Sequence, residues 1–436
     1  MLVAFIRIAR FRRWAFAACS SCPLLAIIIP FGLSLLLAGD ASMSRALLNT
    51  FVVVGLLTSA MDVVGCPFCP AQGRTLSAEV DQANLIVFGT LMNAKRDPNE
   101  FGKGTTDLQL DLIVKDHEFL NGKKVITLPR YVPPDPKNPR KFLVFCEIYK
   151  GELDPYRGEA VSADSKIAEY LKGAIAVRNK DAHTKLKYFF QYLDSAEQDI
   201  SQDAYAEFAI ADYKDVSAVA AKLPPETFVK WLKDPNTPPS RFGLYGYMLG
   251  LCGNAKEHAP LLREMLEDPK RKYSSGLDGM LYGYVLLDPK AGWKYLVSFI
   301  GDESSEFLTR YAVLRTLRVV WENKTDTIKP EAIMDAMQML LTQGDIADLP
   351  IEDLRRWTRW EMTDKVLELY GQKSHNIPIV KRSIIRFALC VPNNPKAAEF
   401  IKQRRAEDPE RVKDIENLLE LEKPVVPEPK KVEPKK

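Results

Sequence analysis

The sequence predicts an α+β protein, a small antiparallel β-barrel or sandwich followed by an α-solenoid of short helix pairs. Two observations carry this. Apolar residues recur with the period of a half-buried strand between about residue 75 and residue 161, and every three or four residues from 164 to 421. The second stretch is cut into segments too short to bury an apolar face alone, so neighbouring segments must stack. With 436 residues, 46% apolar and 27% charged, the chain has the composition of globular domains and ample material for two or three of them.

Residues 1–65 read as a targeting region. Arg7, Arg10, Arg12 and Arg13 precede an apolar stretch, Trp14–Ala38, and a second follows at Ala46–Val64. Read from Met43, the second stretch is a signal peptide, with Arg45 as the positive start, Ala46–Leu57 as the apolar run and Thr58-Ser59-Ala60 as the cleavage site. Two accounts stay open, a translation start at Met43 and a membrane anchor or hairpin built from both stretches. Val63-Val64-Gly65-Cys66 is similar to a bacterial lipoprotein box and makes Cys66 a lipidation candidate, although Asp62 just before it is an unfavourable residue there. The expected location is export to the periplasm or attachment to a membrane through the N-terminus.

Residues 66–163 form the β-domain. Asn84–Leu91 is a β-branched-rich run, and Leu108, Leu110, Leu112 and Val114 alternate with polar residues. Asn121-Gly122 offers a tight turn into Lys123–Leu128, residues 129–139 form a Pro-rich loop, and Phe142–Tyr149 supplies another strand. The cysteine-led start together with Ala83-Asn84-Leu85-Ile86-Val87-Phe88-Gly89-Thr90-Leu91 resembles the netrin-like or TIMP-like OB-fold domains. Their lead motif is Cys-x-Cys, however, where this chain has Cys66-Pro67-Phe68-Cys69. The resemblance implies an OB-like barrel and, as one functional alternative, a protease-inhibitor-like domain.

Residues 164–422 carry the helices, with expected segments at Ile167–Lys172, Lys185–Leu193, Gln202–Tyr213, Pro225–Lys233, Arg241–Cys252, Ala259–Glu267 and Gly276–Leu287. The series continues at Ala291–Ile300, Phe307–Trp321, Lys329–Leu341, Leu354–Tyr370, Ile377–Cys390, Ala397–Arg405 and Pro409–Leu421. Asp234-Pro235, Asp268-Pro269 and Asp288-Pro289 each follow an apolar helix end, a stop-and-cap signature. This punctuation resembles degenerate HEAT-type repeats. The whole arrangement resembles a family of exported planctomycete proteins with a cysteine-led start and a HEAT-like tail, which implies location and architecture but no activity. Residues 423–436, with Pro424, Pro427, Pro429 and Pro434, read as a disordered basic tail.

The net charge of +3 hides an uneven distribution. The first 13 residues and the last 14 are both basic, which leaves the body mildly acidic and argues against nucleic acid as a partner. Cys66 and Cys69 have redox spacing, but they stand ahead of strands rather than between a strand and a helix. Pro70 stands where haem attachment needs His, and structural zinc needs four ligands where Cys66, Cys69 and Cys146 offer three. A disulfide from Cys66 or Cys69 to Cys146 is the expected arrangement, with a thiol-disulfide or metal-handling activity as the alternative. His117, His183, His258 and His375 lie in no metal motif and read as surface or capping residues, and no cofactor is implied.

The glycines of Gly243-Leu244-Tyr245-Gly246-Tyr247-Met248-Leu249-Gly250 and of Gly276–Tyr284 suit close helix packing better than phosphate binding. Asp203 and Glu207, four apart on one helix face, have the spacing of a metal or acid–base pair but read as a solvated face or as salt-bridge partners across a solenoid groove, and Tyr156 and Arg157 read as the docking point of the β-domain on the first helices, with those carboxylates as acceptors for the arginine. Arg356, Trp357, Arg359 and Trp360 form the densest cationic and aromatic cluster, readable as an interaction hot spot or as a packed helix junction. The reading is a non-catalytic scaffold that binds a protein partner.

Overall fold

In the computed structural model the chain is described for residues 74–98, 100, 103–137, 140–268, 275–302, 304–323 and 328–422. The leader with Cys66 and Cys69, and the tail from residue 423, lie outside the described residues.

The first element is a helix, α1 (Leu76–Gln82), where the sequence predicts the start of the strands. Thr75 caps it by accepting the Ala78 N–H at 2.8 Å, and Glu79 sits in its first turn. Five strands follow: β1 (Leu85–Arg96), β2 (Gly104–Lys115), β3 (Val125–Leu128), β4 (Lys141–Tyr149) and β5 (Glu152–Val161). They form one sheet in the order β3-β2-β1-β4-β5, every neighbouring pair antiparallel. Alternation along β1 and β4 divides the apolar residues between the faces. Leu85, Val87, Val144 and Cys146 join Leu108, Leu120 and Ile126 in one cluster, while Ile86, Phe88, Leu143 and Phe145 join the core of the helices. Burial on both sides explains why Asn84–Leu91 reads as a continuous apolar run. Among the described residues β3 and β5 are edges, and Pro155, which cannot donate to a ladder, lies on the outermost strand.

The helices are α2 (Ile167–Val177), α3 (Ala182–Phe190), α4 (Gln198–Ile210), α5 (Tyr213–Ala220), α6 (Pro225–Lys233), α7 (Phe242–Cys252), α8 (Ala255–Glu267) and α9 (Leu277–Leu287). After them come α10 (Pro289–Gly301), α11 (Phe307–Glu322), α12 (Pro330–Leu341), α13 (Asp348–Arg356), α14 (Thr363–Glu368), α15 (Pro378–Cys390), α16 (Pro395–Glu407) and α17 (Pro409–Leu421). From α5 onward, alternate helices pack on one another, as in the series α5, α7, α9, α11 and again in α13, α15, α17, while sequence neighbours also touch. Asp288 both ends α9 and caps α10 by accepting the Ala291 N–H, with Pro289 as the first helical residue. Asp408 does the same between α16 and α17.

Two predicted segments are broken. Gln202–Tyr213 ends at Ile210 because Asp212 opens a new helix by capping Lys214. Leu354–Tyr370 is interrupted at Thr358, which has φ 55 and therefore turns the chain out of the helix.

Among the described helices, α7 and α9 pack backbone against backbone. A Cβ on Gly279 would lie 2.6 Å from Gly243 Cα, and one on Gly283 would lie 2.7 Å from the Gly246 carbonyl carbon. These glycines are the contact surface itself, as their spacing predicts. Beside them Tyr213, Tyr247 and Tyr282 stack, and Tyr213 shares a 2.7 Å hydroxyl contact with Tyr282.

Candidate functional site

Trp357 stacks on Trp321 of α11 with ring centroids 4.9 Å apart, and Trp360 meets Phe387 of α15 edge-on at 5.3 Å. Arg359 lies over the Trp321 ring at 5.1 Å and pairs with Glu361. Three of the four clustered residues are thus spent on the junction of α11, α13 and α15, and Arg356 is exposed. The region also holds a row of ion pairs between alternate helices. Asp278 of α9 meets Arg315 of α11 at 2.9 Å, and Arg318 of α11 meets Asp353 of α13 at 2.7 Å. Glu352 of α13 meets Arg386 of α15 at 3.2 Å, and Glu422 bonds to both Arg355 and Arg386. Asp278 and Asp353 are both 3% exposed, and burial raises both carboxyls above their ordinary range against the pull of their arginines. Pairing of this kind depends on which helices become neighbours, so the sequence alone does not reveal it.

Asp203 and Glu207 come together on α4, but they receive α1 rather than Arg157. Asp203 accepts the Leu76 N–H at 2.5 Å, the Ser77 hydroxyl at 2.6 Å and the Tyr170 hydroxyl at 2.8 Å. Glu207 accepts the Thr75 hydroxyl at 2.6 Å. The two acids therefore complete the first turn of α1, whose amide groups have no partner within the helix. Burial raises both carboxyls. At the other end, the Lys115 ammonium donates to the Val80 and Ala83 carbonyls at 2.8 and 2.5 Å. Arg157 instead pairs with Glu159 at 2.8 Å and Glu79 at 3.6 Å, because Glu79 of α1 comes between β5 and α4. Burial, then the Glu79 charge, pushes the Tyr156 hydroxyl up to about 12. With donors of its own chain around each oxygen, Asp203 is a structural anchor and has no place for a substrate.

Cys146 lies fully buried on β4, and burial pushes its thiol up to about 12. Its supposed partners, Cys66 and Cys69, lie outside the described residues. His117 caps a short turn by accepting the Phe119 N–H at 3.1 Å. His375 departs from expectation, being fully buried, with Nε2 2.7 Å from the Leu341 carbonyl oxygen. Among the described residues Glu226, Glu257 and His258 bring possible ligand atoms within 4.8 Å of one another. The Asn254 N–H, which can only donate, lies 2.7 Å from His258 Nδ1. That bond leaves the ring proton of a neutral imidazole on Nε2, facing Glu226 at 3.6 Å, where a metal would need a lone pair. His258 thus reaches back to the cap residue Asn254 and closes the start of α8.

Three grooves run between alternate helices. One of about 720 Å³ lies between α6 and α8, one of about 770 Å³ between α10 and α12, and one of about 530 Å³ between α14 and α16. Each takes part of its floor from apolar residues, Leu261 and Met265 in the first, Ile300 and Met339 among mostly polar residues in the second, and Leu367 and Phe400 in the third. No described helix is long and apolar enough to cross a membrane. Compared with family models, with curated proteins and with solved structures, the chain matches none.

Proposed function

We propose that this chain is an exported scaffold whose helices form an α-solenoid of HEAT-like pairs and offer a lateral surface to a protein partner. The carrying observation is the repeated packing of alternate helices, tied from α9 to α15 by buried or half-buried ion pairs. Such an array is held by neighbour contacts alone and leaves long side surfaces for binding. The sheet suits an N-terminal cap, since Ile86, Phe88, Leu143 and Phe145 share a core with α2. Its strand order, β3-β2-β1-β4-β5, supports the OB-like reading of the domain. Export rests on the apolar run and small-residue site that follow Met43. The thiol and inhibitor alternatives rest on Cys66 and Cys69, and the described residues add nothing in their favour.

Cross-linking of the full chain in its own host, read by mass spectrometry, tests the reading. Intermolecular links should concentrate on α6 to α16. Links confined within single chains under every growth condition would remove the scaffold reading.

A further inference from the structure

The three grooves share a position and a charge. Each lies between two even-numbered helices, and in each the carboxylates outnumber the cations. Between α6 and α8, Glu264, Glu267 and Asp268 stand against Lys233 and Arg263. Between α10 and α12, Asp335 and Asp345 stand against Arg310. Between α14 and α16, Asp364, Glu368 and Glu399 stand against Lys396. Several of these charges cancel locally, through Arg310–Asp345 at 2.6 Å, Arg263–Glu267 at 2.6 Å and Lys396–Asp364 at 2.5 Å. Lys402 lies 3.5 Å from Glu399, and Lys233 is the exposed cation beside Glu264, so with these set aside as well Asp335 and Glu368 remain as the exposed rim carboxylates outside such pairs, and Glu264 and Glu399 are exposed beside one lysine each.

We infer that these grooves take an extended polypeptide of basic and apolar residues, apolar side chains entering the floors and lysine or arginine meeting the rim carboxylates. The inference rests on the scaffold reading and names its partner by chemistry. An extended segment points alternate side chains to opposite sides, so apolar and basic residues can meet the lining and the rim of a groove, and complementary charge sets its sign and its approach rate. An acidic segment would meet like charge at each groove.

The test measures fluorescence anisotropy of a labelled Lys-Leu-Pro repeat peptide and its Glu-for-Lys counterpart, added to the detergent-solubilised full-length chain. Saturable binding of the lysine peptide is expected, weakening with salt and falling about tenfold in a Glu368→Lys/Glu399→Lys variant of unchanged helical signal. A separate Asp335→Lys variant should weaken it independently, because the two grooves do not share residues. Equal binding of both peptides, or no effect of either variant, overturns the inference. A preference for the glutamate peptide also overturns it while leaving a protein-binding scaffold intact. Binding that emerges only when the five lysines of residues 423–436 are changed to glutamine assigns the grooves to the chain's own tail and overturns a separate partner.

Discussion

Replacing Gly283 by alanine tests the closest glycine-mediated helix contact among the described residues. The new Cβ would meet the Gly246 carbonyl oxygen first, with the carbonyl carbon behind it at 2.7 Å, whereas ordinary contact begins at 3.4 Å, so the α7 and α9 backbones must part by more than roughly 0.7 Å. The obstacle is backbone, which no rotamer change removes. A gap of that size forfeits about a quarter to a half of each dispersion contact across the seam, and overpacking of this kind costs about 1–3 kcal/mol. Alanine returns about 1 kcal/mol of helix propensity, so the upper part of that range leaves a net loss of about 2 kcal/mol. Gly301→Ala, at the last position of α10, is the steric control, since its Cβ meets only Met339 Cε, at 3.4 Å. Urea unfolding followed by helical circular dichroism should show a lower midpoint with an unchanged slope for Gly283→Ala, and no loss for Gly301→Ala. A Gly283→Ala protein as stable as the parent would refute the close approach.

Asp203→Asn places an amide donor among donors and should cost about 1–3 kcal/mol, with amide exchange rising first in residues 76–82; unchanged exchange there would contradict the anchoring of α1. Burial raises the Glu207 carboxyl, so its favourable contribution is full below the unfolded value of about 4.3 and is lost as pH rises through the raised folded value. Melting of Glu207→Gln relative to the parent should therefore improve as pH rises across that window, and a constant difference would oppose the assignment. In a double-mutant cycle, Trp321→Ala and Trp357→Ala should show a coupling of about 1 kcal/mol, while additive losses would mean the rings do not support each other.

The residues explain how far the sequence could be read. Period-two alternation in β2, the apolar run of β1 and the Asp-Pro stops at Asp234 and Asp288 are local signals, and the structure places strands and helix caps where they fall. The helix α1 escaped notice because seven residues show barely two turns of periodicity, although Thr75 with Glu79 carries the composition of a helix start. Thr358 was hidden for a different reason. Its left-handed backbone follows from Trp357 and Trp360 reaching different neighbours, which is a tertiary demand. The same holds for Asp203. Its spacing from Glu207 puts both acids on one face, but that Asp203 is buried against Ser77 and Tyr170 and Glu207 is held by Thr75, and that they are not solvated or paired with Arg157, depends on which element arrives beside α4.

The fastening of α1 also fixes a route for mechanical load. Tension drawn through the chain ahead of Thr75 meets the bonds of Thr75, Leu76 and Ser77 to Asp203 and Glu207 before it meets any strand of the sheet. Those bonds pass the pull into α4 and Tyr170, more than 90 residues along the sequence, instead of peeling β1 from β4 one pair at a time. A tether at that end would therefore tug on the helical body as a whole and spare the sheet.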